Sequence, residues 1–253
     1  MMRWIALLLA ALAAYVYVDR NGTPLAARER ANPVVVVLGD GSCDRTPFIS
    51  EQARELLERA VRGAAPEAGT VLADVVHSNA LGSMTFSFHR DFTPPPDVAR
   101  MIDRRIDAAL AAQAEAALAD AGDAFSRPHT GCVTDLLGGF LAVARAIEPY
   151  ARRPRLLLVA SNMMNYTPDA DFIRNQLSEE FLSRLLTELQ ERGLIPPLQG
   201  VEVVVVGAGV DPKLRLTKEQ QQGLRSFWEQ YFRLAGARVV AWQPRATEVR
   251  LLR

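Results

Sequence analysis

The sequence predicts an α/β fold with three layers, in which helices cover both faces of a mostly parallel central sheet. Short continuous runs of β-branched and other apolar residues recur along the chain, as is typical of strands buried on both faces. Between these runs lie longer amphipathic segments with apolar residues at helical spacing. Strands that alternate with helices form parallel βαβ units, so the alternation predicts the three layers.

The first half of the folded region predicts one parallel strand and one antiparallel edge strand. Val34–Leu38 is an apolar run, and the helix over residues 50–63 is expected to begin at an N-cap, Ser50. Residues 70–80 and 83–92 read as two strands in a hairpin-like pair. Apolar and polar residues alternate in the second of these strands, which predicts one wet face and a position at the sheet edge.

The second half continues the alternation of helices and strands. Helices are predicted over residues 94–122, 134–150, 169–193 and 217–236, and strands over residues 154–161, 201–209 and 237–242. We expect one domain over residues 33–253, preceded by a polar linker at residues 23–32.

Composition excludes one class of function. The 253 residues include 29 Lys and Arg against 29 Asp and Glu, so the formal net charge is zero. No basic stretch interleaved with aromatic residues is present. The sequence therefore gives no reason to expect nucleic-acid binding.

The first 22 residues are predicted to be a signal peptide or a membrane anchor. Residues 4–18 form an uncharged apolar run after Arg3, shorter than the ~20 residues that cross a bilayer. Ala11-Leu12-Ala13 resembles a cleavage site, whereas Tyr15 and Tyr17 suit an uncleaved anchor. We expect the globular part to lie outside the cytoplasm, either anchored in the inner membrane or free in the periplasm.

Three loops with oxygen-bearing side chains are expected to meet at the carboxyl ends of the strands, where α/β sheets bind ligands. Carboxylate, hydroxyl and amide oxygens are the ligands that a hard cation such as Mg²⁺ prefers. The loops carry, in chain order, Asp40, Ser42 and Asp44; Thr134 and Asp135; and Ser161 and Asn162.

These loops resemble the metal-ion-dependent adhesion site of von Willebrand factor A-like (vWA) domains. "DGSCD" is similar to the D-x-S-x-S loop of that family, "GCVTDLLGGFLAVA" to its threonine loop, and "LLLVASNMM" to its third loop. The resemblance implies a Rossmann-like vWA fold, and a Mg²⁺ or Mn²⁺ ion held by Asp40, Ser42 and Thr134. Asp44 and Asn162 stand where the family has Ser and Asp, and would bind the ion directly or through water.

The same resemblance implies recognition rather than catalysis. An open coordination position would accept an acidic side chain of a protein partner in a cell-envelope assembly. From the residues alone, Met163, Met164 and Tyr166 after the third loop would either rim that surface, since Met and aromatic side chains suit a protein partner, or pack within the loop. The resemblance also brings Cys43 and Cys132 into neighbouring loops, where they form either a disulfide or two buried thiols.

Two alternatives stay open from the residues alone. Asp and Ser after a strand also form turns and Thr134 is also an N-cap candidate, so the site can be vestigial and the protein a metal-independent scaffold. A hydrolase that uses Ser42 would need a histidine base, but no histidine follows His129. We therefore expect no enzymatic activity.

Overall fold

The computed structural model describes residues 30–41, 47–96, 103–121, 125, 133–168, 170–175, 177–210 and 215–249. Its strands are β1 (Val34–Asp40), β2 (Thr70–Val76), β3 (Phe88–Asp91), β4 (Arg155–Ala160), β5 (Tyr166–Thr167), β6 (Ala170–Asp171), β7 (Val201–Val206) and β8 (Arg238–Gln243). Its helices are α1 (Pro47–Ala64), α2 (Ala80–Ser83), α3 (Asp103–Asp120), α4 (Leu136–Ile147), α5 (Glu179–Glu191) and α6 (Lys218–Leu234).

The central sheet has six strands in the order β3-β2-β1-β4-β7-β8. All neighbours in it are parallel except β3, which pairs antiparallel with β2 at one edge. β5 and β6 form a separate two-stranded hairpin. The expected Rossmann-like α/β class, mostly parallel with one antiparallel edge strand, is confirmed.

Two hydrophobic clusters cover the two faces of the sheet. Val34, Val36 and Leu38 of β1 belong to the cluster that includes residues of α4, α5 and α6. Val35 and Val37 belong to the other, with residues of α1 and α3. Successive side chains of a strand point to opposite faces, so an uninterrupted apolar run is what a strand between two layers of helices requires.

Aromatic side chains of α6 fill one of these clusters. Phe227, Trp228, Tyr231 and Phe232 are each exposed by 1% or less. Phe140 of α4 meets the Trp228 ring edge to face, with ring centroids 5.5 Å apart. Burial raises the pKa of the Tyr231 phenol, whose hydroxyl donates to the Leu194 carbonyl. The buried aromatic side chains on one side of α6 therefore hold this helix in the core.

The strand predicted over residues 83–92 is wrong in its first half. Only Phe88–Asp91 form β3, and Ala80–Ser83 form the short helix α2. The buried Asp74 carboxylate explains the difference, because it accepts hydrogen bonds from the backbone N–H groups of Thr85 and Phe86 at 3.0 and 2.7 Å. These two N–H groups are therefore not available for hydrogen bonds to a neighbouring strand. Phe86 also adopts a φ of +52°, outside the range of a strand.

Three predicted helix starts are also wrong. The helix expected over residues 169–193 begins only at Glu179, capped by Ser178, because the preceding residues form β6 and a turn. α1 begins at Pro47, so Ser50 lies inside the helix rather than at its N-cap. α4 is capped by Asp135 and not by Thr134.

Several predictions fall on residues outside the described ranges: the leader at residues 1–22, most of the linker at residues 23–32, Ser42, Asp44, and the pair Cys43 and Cys132. Within the ranges given above, no helix is both long and apolar enough to span a bilayer.

Candidate metal centre

Asp40 is the centre of the candidate site, at the carboxyl end of β1. Its side chain is only 3% exposed, and each of its oxygens accepts a hydroxyl hydrogen bond from another loop. The Ser161 Oγ donates to Oδ2 at 2.9 Å, and the Thr134 Oγ1 approaches Oδ1 at 3.4 Å. All three side chains are buried, so loops that are distant in sequence meet on one carboxylate.

Asp135 holds the loop that carries Thr134. One of its carboxylate oxygens accepts from the Gly138 N–H at 2.9 Å and caps α4, as acidic residues do at a helix N-terminus. The other oxygen accepts from the Ala80 N–H at 3.1 Å. This single side chain thus joins α2 to α4 beside Thr134.

The third loop has a strained backbone that is held from both sides. Met163 has a φ of +63°, which is unfavourable for a residue with a Cβ. Its N–H donates to the Ser161 Oγ, and its carbonyl accepts from the buried Trp228 Nε1–H, both at 2.9 Å. The Asn162 Oδ1 accepts from the Met164 N–H at 2.9 Å.

Asn165 connects the third loop to the second. It is fully buried; its Oδ1 accepts from the Leu137 N–H at the start of α4. Its Nδ2 donates to the Thr167 Oγ1 and to the Ala170 carbonyl, across the β5–β6 hairpin. The Tyr166 N–H also donates to the Thr134 carbonyl, so the hairpin is fixed to the threonine loop at two points.

Sequence reasoning placed Ser161 among the oxygen-bearing residues of the third loop but did not include it among the metal ligands, and it did not select Asn165 at all. Ser161 stands directly after a predicted buried strand, and the run of polar residues in "ASNMMNYT" was a usable signal for both. What the sequence could not indicate is which of Ser161, Asn162 and Asn165 turns toward Asp40, because that depends on the backbone at Met163.

The predicted apolar rim is corrected for two of its three residues. Met163 and Met164 are 0% and 4% exposed, so they pack beneath the loop rather than around a binding surface. Tyr166 is 38% exposed. Both methionines belong to the hydrophobic cluster that contains the aromatic side chains of α6, and the Met163 carbonyl accepts from the Trp228 Nε1–H of that helix.

The described side chains match one class of cation. They supply one carboxylate and two hydroxyl groups, all oxygen donors, a set suited to Mg²⁺ or Mn²⁺ with water completing the coordination and unsuited to zinc. In the part of the chain that the structure describes, no three His, Cys, Asp or Glu side chains form a metal-binding group. Ser42 and Asp44, the other two donors of the first loop, lie outside that part.

Replacing Gly138 by alanine is expected to destabilise this part of the fold. A Cβ at Gly138 would lie 2.1 Å from the Asp135 Oδ2, so the carboxylate must leave its place and lose its bonds to Gly138 and Ala80. We expect the free energy of unfolding to fall by about 1–3 kcal/mol, the usual cost of overpacking. Urea unfolding of the two proteins measures this difference.

Gly223 of α6 offers a matched control. Its Cβ would meet no atom closer than 3.4 Å, which is ordinary contact, and alanine is favoured over glycine inside a helix by up to ~1 kcal/mol. Gly223→Ala is therefore expected to leave stability unchanged or to raise it. Equal losses for both variants would contradict the Asp135 assignment.

Comparison with known proteins identifies no family for the chain. No family model matches the sequence, and no curated protein matches it significantly.

Solved structures resemble the chain at low sequence identity, among them two proteins of Bacteroides species and a pilus adhesin. An aerotolerance-related membrane protein from Bacteroides fragilis is 16% identical over 82% of this chain and 90% of its own, with a TM-score of 0.38. BatB from Bacteroides thetaiotaomicron is 14% identical over 85% and 92%, with a TM-score of 0.38. The pilus adhesin SpaC from Lactobacillus rhamnosus GG is 10% identical over 81% and 27%, with a TM-score of 0.40. At scores this low we infer neither fold nor function from these neighbours.

Proposed function

We propose that the chain is an envelope protein with a vWA-like domain that binds a protein partner through a divalent cation. One observation carries this proposal: the buried Asp40 carboxylate lies at the carboxyl end of the central strand, and the hydroxyl groups of Thr134 and Ser161 converge on it from two other loops. Ligand sites of α/β sheets lie at this end, where loops from several strands meet.

In this proposal, Asp40, Thr134 and Ser161 hold Mg²⁺ or Mn²⁺ together with Ser42, Asp44 and Asn162. The bound cation would supply a strong, localised positive charge that accepts a carboxylate oxygen of the partner in place of a water molecule. Residues of the chain would hold the ligand-bearing loops in place. Asn165 and Asp135 hold the threonine loop, and Trp228 holds the third loop, which carries Ser161. The exposed Tyr166 ring would lie at the partner surface.

The proposed setting follows from the first residues of the chain. The apolar run at residues 4–18 would anchor the protein in the inner membrane or direct its export, with the domain outside the cytoplasm. Neither role requires an enzymatic step.

A metal-independent scaffold is the second candidate. Two contacts favour it: the Ser161 hydroxyl already hydrogen-bonds the Asp40 carboxylate, and the Asn162 Oδ1 already accepts from the backbone of its own loop. A site that satisfies its polar groups internally has less need of a cation.

Calorimetric titration of Mg²⁺ and Mn²⁺ into the full chain decides between the two. We expect binding close to one equivalent, and we expect Asp40→Asn to weaken it at least about tenfold, because it removes the charge of the carboxylate on which the two hydroxyl groups converge and so the main attraction for a dication. The amide keeps the shape of the side chain, so the fold is preserved.

Asp120→Asn serves as the control, because this exposed carboxylate pairs with Arg90 away from the site. It is expected to bind the cation as the unmodified chain does. Absence of any binding to the folded full chain would refute the metal site and favour the scaffold. Equal binding by Asp40→Asn would place the cation elsewhere.

A further inference from the structure

Arginines are concentrated at the amino end of the central sheet, where α4, α5 and α6 lead into the strands β4, β7 and β8. These strands are parallel, so each helix returns the chain and its last turn lies at their amino end. The three connecting segments, residues 145–155, 191–202 and 233–238, contain seven Arg and three Glu, with no Lys or Asp. This end therefore has an excess of positive charge in a chain whose formal net charge is zero.

Several of these arginines are available to an outside anion. Three of them are exposed and make no ion pair with a carboxylate of the described residues: Arg145, Arg152 and Arg233. On the other face of the sheet, Arg30 and Arg62 are each paired with a carboxylate of α3. The uncompensated charge therefore lies on the side of α4, α5 and α6.

The chain enters the domain at this same end. Arg153 fastens the residues that precede β1, because its Nε donates to the Asn32 carbonyl at 2.7 Å and its Nη2 to the Pro33 carbonyl at 3.2 Å. Only eleven residues separate Arg30 from the apolar run at residues 4–18. Fully extended, such a segment reaches at most about 40 Å. If the run enters a membrane, as proposed above, the arginine-rich end is the end at which the domain is tethered to it.

One exposed apolar side chain accompanies the arginines. Leu234, the last residue of α6, directly follows Arg233 and is 47% exposed. An apolar side chain among cations suits a membrane surface, where it can enter the headgroup region while the cations contact phosphates.

We propose that this end of the domain docks on the anionic phospholipid surface of the membrane that holds the N-terminal run. Arg145, Arg152 and Arg233 contact the lipid phosphates, to which a planar guanidinium group can donate two hydrogen bonds. The short tether raises the local concentration of the surface, so a contact of few charges suffices. The candidate metal centre, at the opposite end of the strands, then faces away from the bilayer and stays open to a partner. This docking rests on the membrane setting proposed above and does not require the cation.

Hydrogen exchange of the full chain in two kinds of lipid nanodisc, with EDTA present, tests the docking. One disc contains phosphatidylcholine alone, and the other also contains about 30% phosphatidylglycerol as the anionic lipid. Retention on the phosphatidylcholine discs reports on the apolar run at residues 4–18 alone.

On the anionic discs we expect amide exchange in residues 148–154 and 233–238 to slow at least about fivefold, the effect of a single Lys or Arg on binding to an anionic surface. Exchange in the β5–β6 hairpin, at the opposite end of the strands, is expected to stay the same on both discs. NaCl at about 1 M, where the Debye length is about 3 Å, is expected to remove the protection.

Two double variants locate the contact. Arg152→Glu with Arg233→Glu is expected to remove the protection on anionic discs and to leave the thermal unfolding midpoint unchanged, because both side chains are exposed and make no described ion pair. Arg174→Glu with Arg215→Glu is the control. It changes the charge by the same amount at exposed positions near the carboxyl end of the strands, and is expected to keep the protection.

The proposal is overturned if exchange is the same on both discs, or if the control variant loses as much protection as Arg152→Glu with Arg233→Glu. A chain that is not retained on phosphatidylcholine discs would overturn the tether, and the docking with it. Because EDTA is present throughout, none of these results bears on the cation site, and failure of the calorimetric titration would leave the docking standing.

Discussion

Replacing Trp228 by alanine is expected to lower the free energy of unfolding by about 3–5 kcal/mol, the usual cost of deleting a buried aromatic side chain. Trp228 is fully buried and meets the rings of Phe140, Phe172 and Phe227 at centroid distances of 5.0 to 5.8 Å. Its removal leaves a cavity among side chains that cannot collapse without breaking their own packing.

Trp228 also has an effect on the candidate site. Its Nε1–H is the donor to the Met163 carbonyl, so its removal takes away the hydrogen bond by which α6 holds that carbonyl. Since the positive φ of Met163 is unfavourable, we expect the Ser161–Asn162 segment to relax, and amide hydrogen exchange at Met163 and Met164 to accelerate. Chemical denaturation and hydrogen exchange measured together test both consequences.

Trp228→Phe separates the contribution of core packing from that of the hydrogen bond to the Met163 carbonyl. It retains most of the ring and removes the donor, so we expect a smaller loss of about 1–2 kcal/mol for the unpaired carbonyl, with the same acceleration of exchange in the third loop. A loss below about 1 kcal/mol for Trp228→Ala would contradict the buried position of this side chain.

Asn165→Ala is expected to cost about 3 kcal/mol, because it leaves several buried polar groups without their partner. The Leu137 N–H loses its acceptor, and the Thr167 Oγ1 and the Ala170 carbonyl lose their donor. All three hydrogen bonds depend on one fully buried amide. Equilibrium unfolding in urea measures the cost.

Asn175→Ala is the matched control for this prediction. Asn175 follows in the same segment, is only partly buried, and its side chain makes one hydrogen bond, to the Asp171 carbonyl at 2.8 Å. We expect its loss to cost about 1 kcal/mol or less. Similar costs for the two asparagines would mean that Asn165 does not connect the hairpin to α4.

Trp228 and Asn165 contribute to the site without touching the Asp40 carboxylate in any described contact. Each holds the backbone of a loop whose hydroxyl group reaches that carboxylate, Trp228 for Ser161 and Asn165 for Thr134. Precise placement of oxygen ligands depends on such support, because surface loops by themselves are mobile.

The sequence by itself determined the layers of the fold. β1, β4 and β7 each contain a continuous apolar run, over residues 34–38, 156–160 and 203–206, and such runs predict strands covered on both faces, because burial on both faces disfavours polar side chains. The position of Asp40 at the carboxyl end of β1, and its meeting with Thr134 and the third loop, follow from the same pattern, because parallel strands end at one edge of the sheet.

Only the tertiary structure determined where contacts between distant residues override the secondary structure that the local sequence pattern predicts. Residues 83–87 alternate like a strand, but two of their N–H groups donate to the Asp74 carboxylate of the neighbouring strand β2. Residues 170–177 have helical spacing, but the first of them belong to the β5–β6 hairpin, which Asn165 holds in place. The helix α5 therefore begins only at Glu179. Ser161 reaches Asp40 through a backbone turn held by Trp228, which lies 65 residues beyond Met163 in the chain. A contact over that distance leaves no periodic signal in the sequence, because its energy depends on the packing of α6 rather than on the residues around Met163.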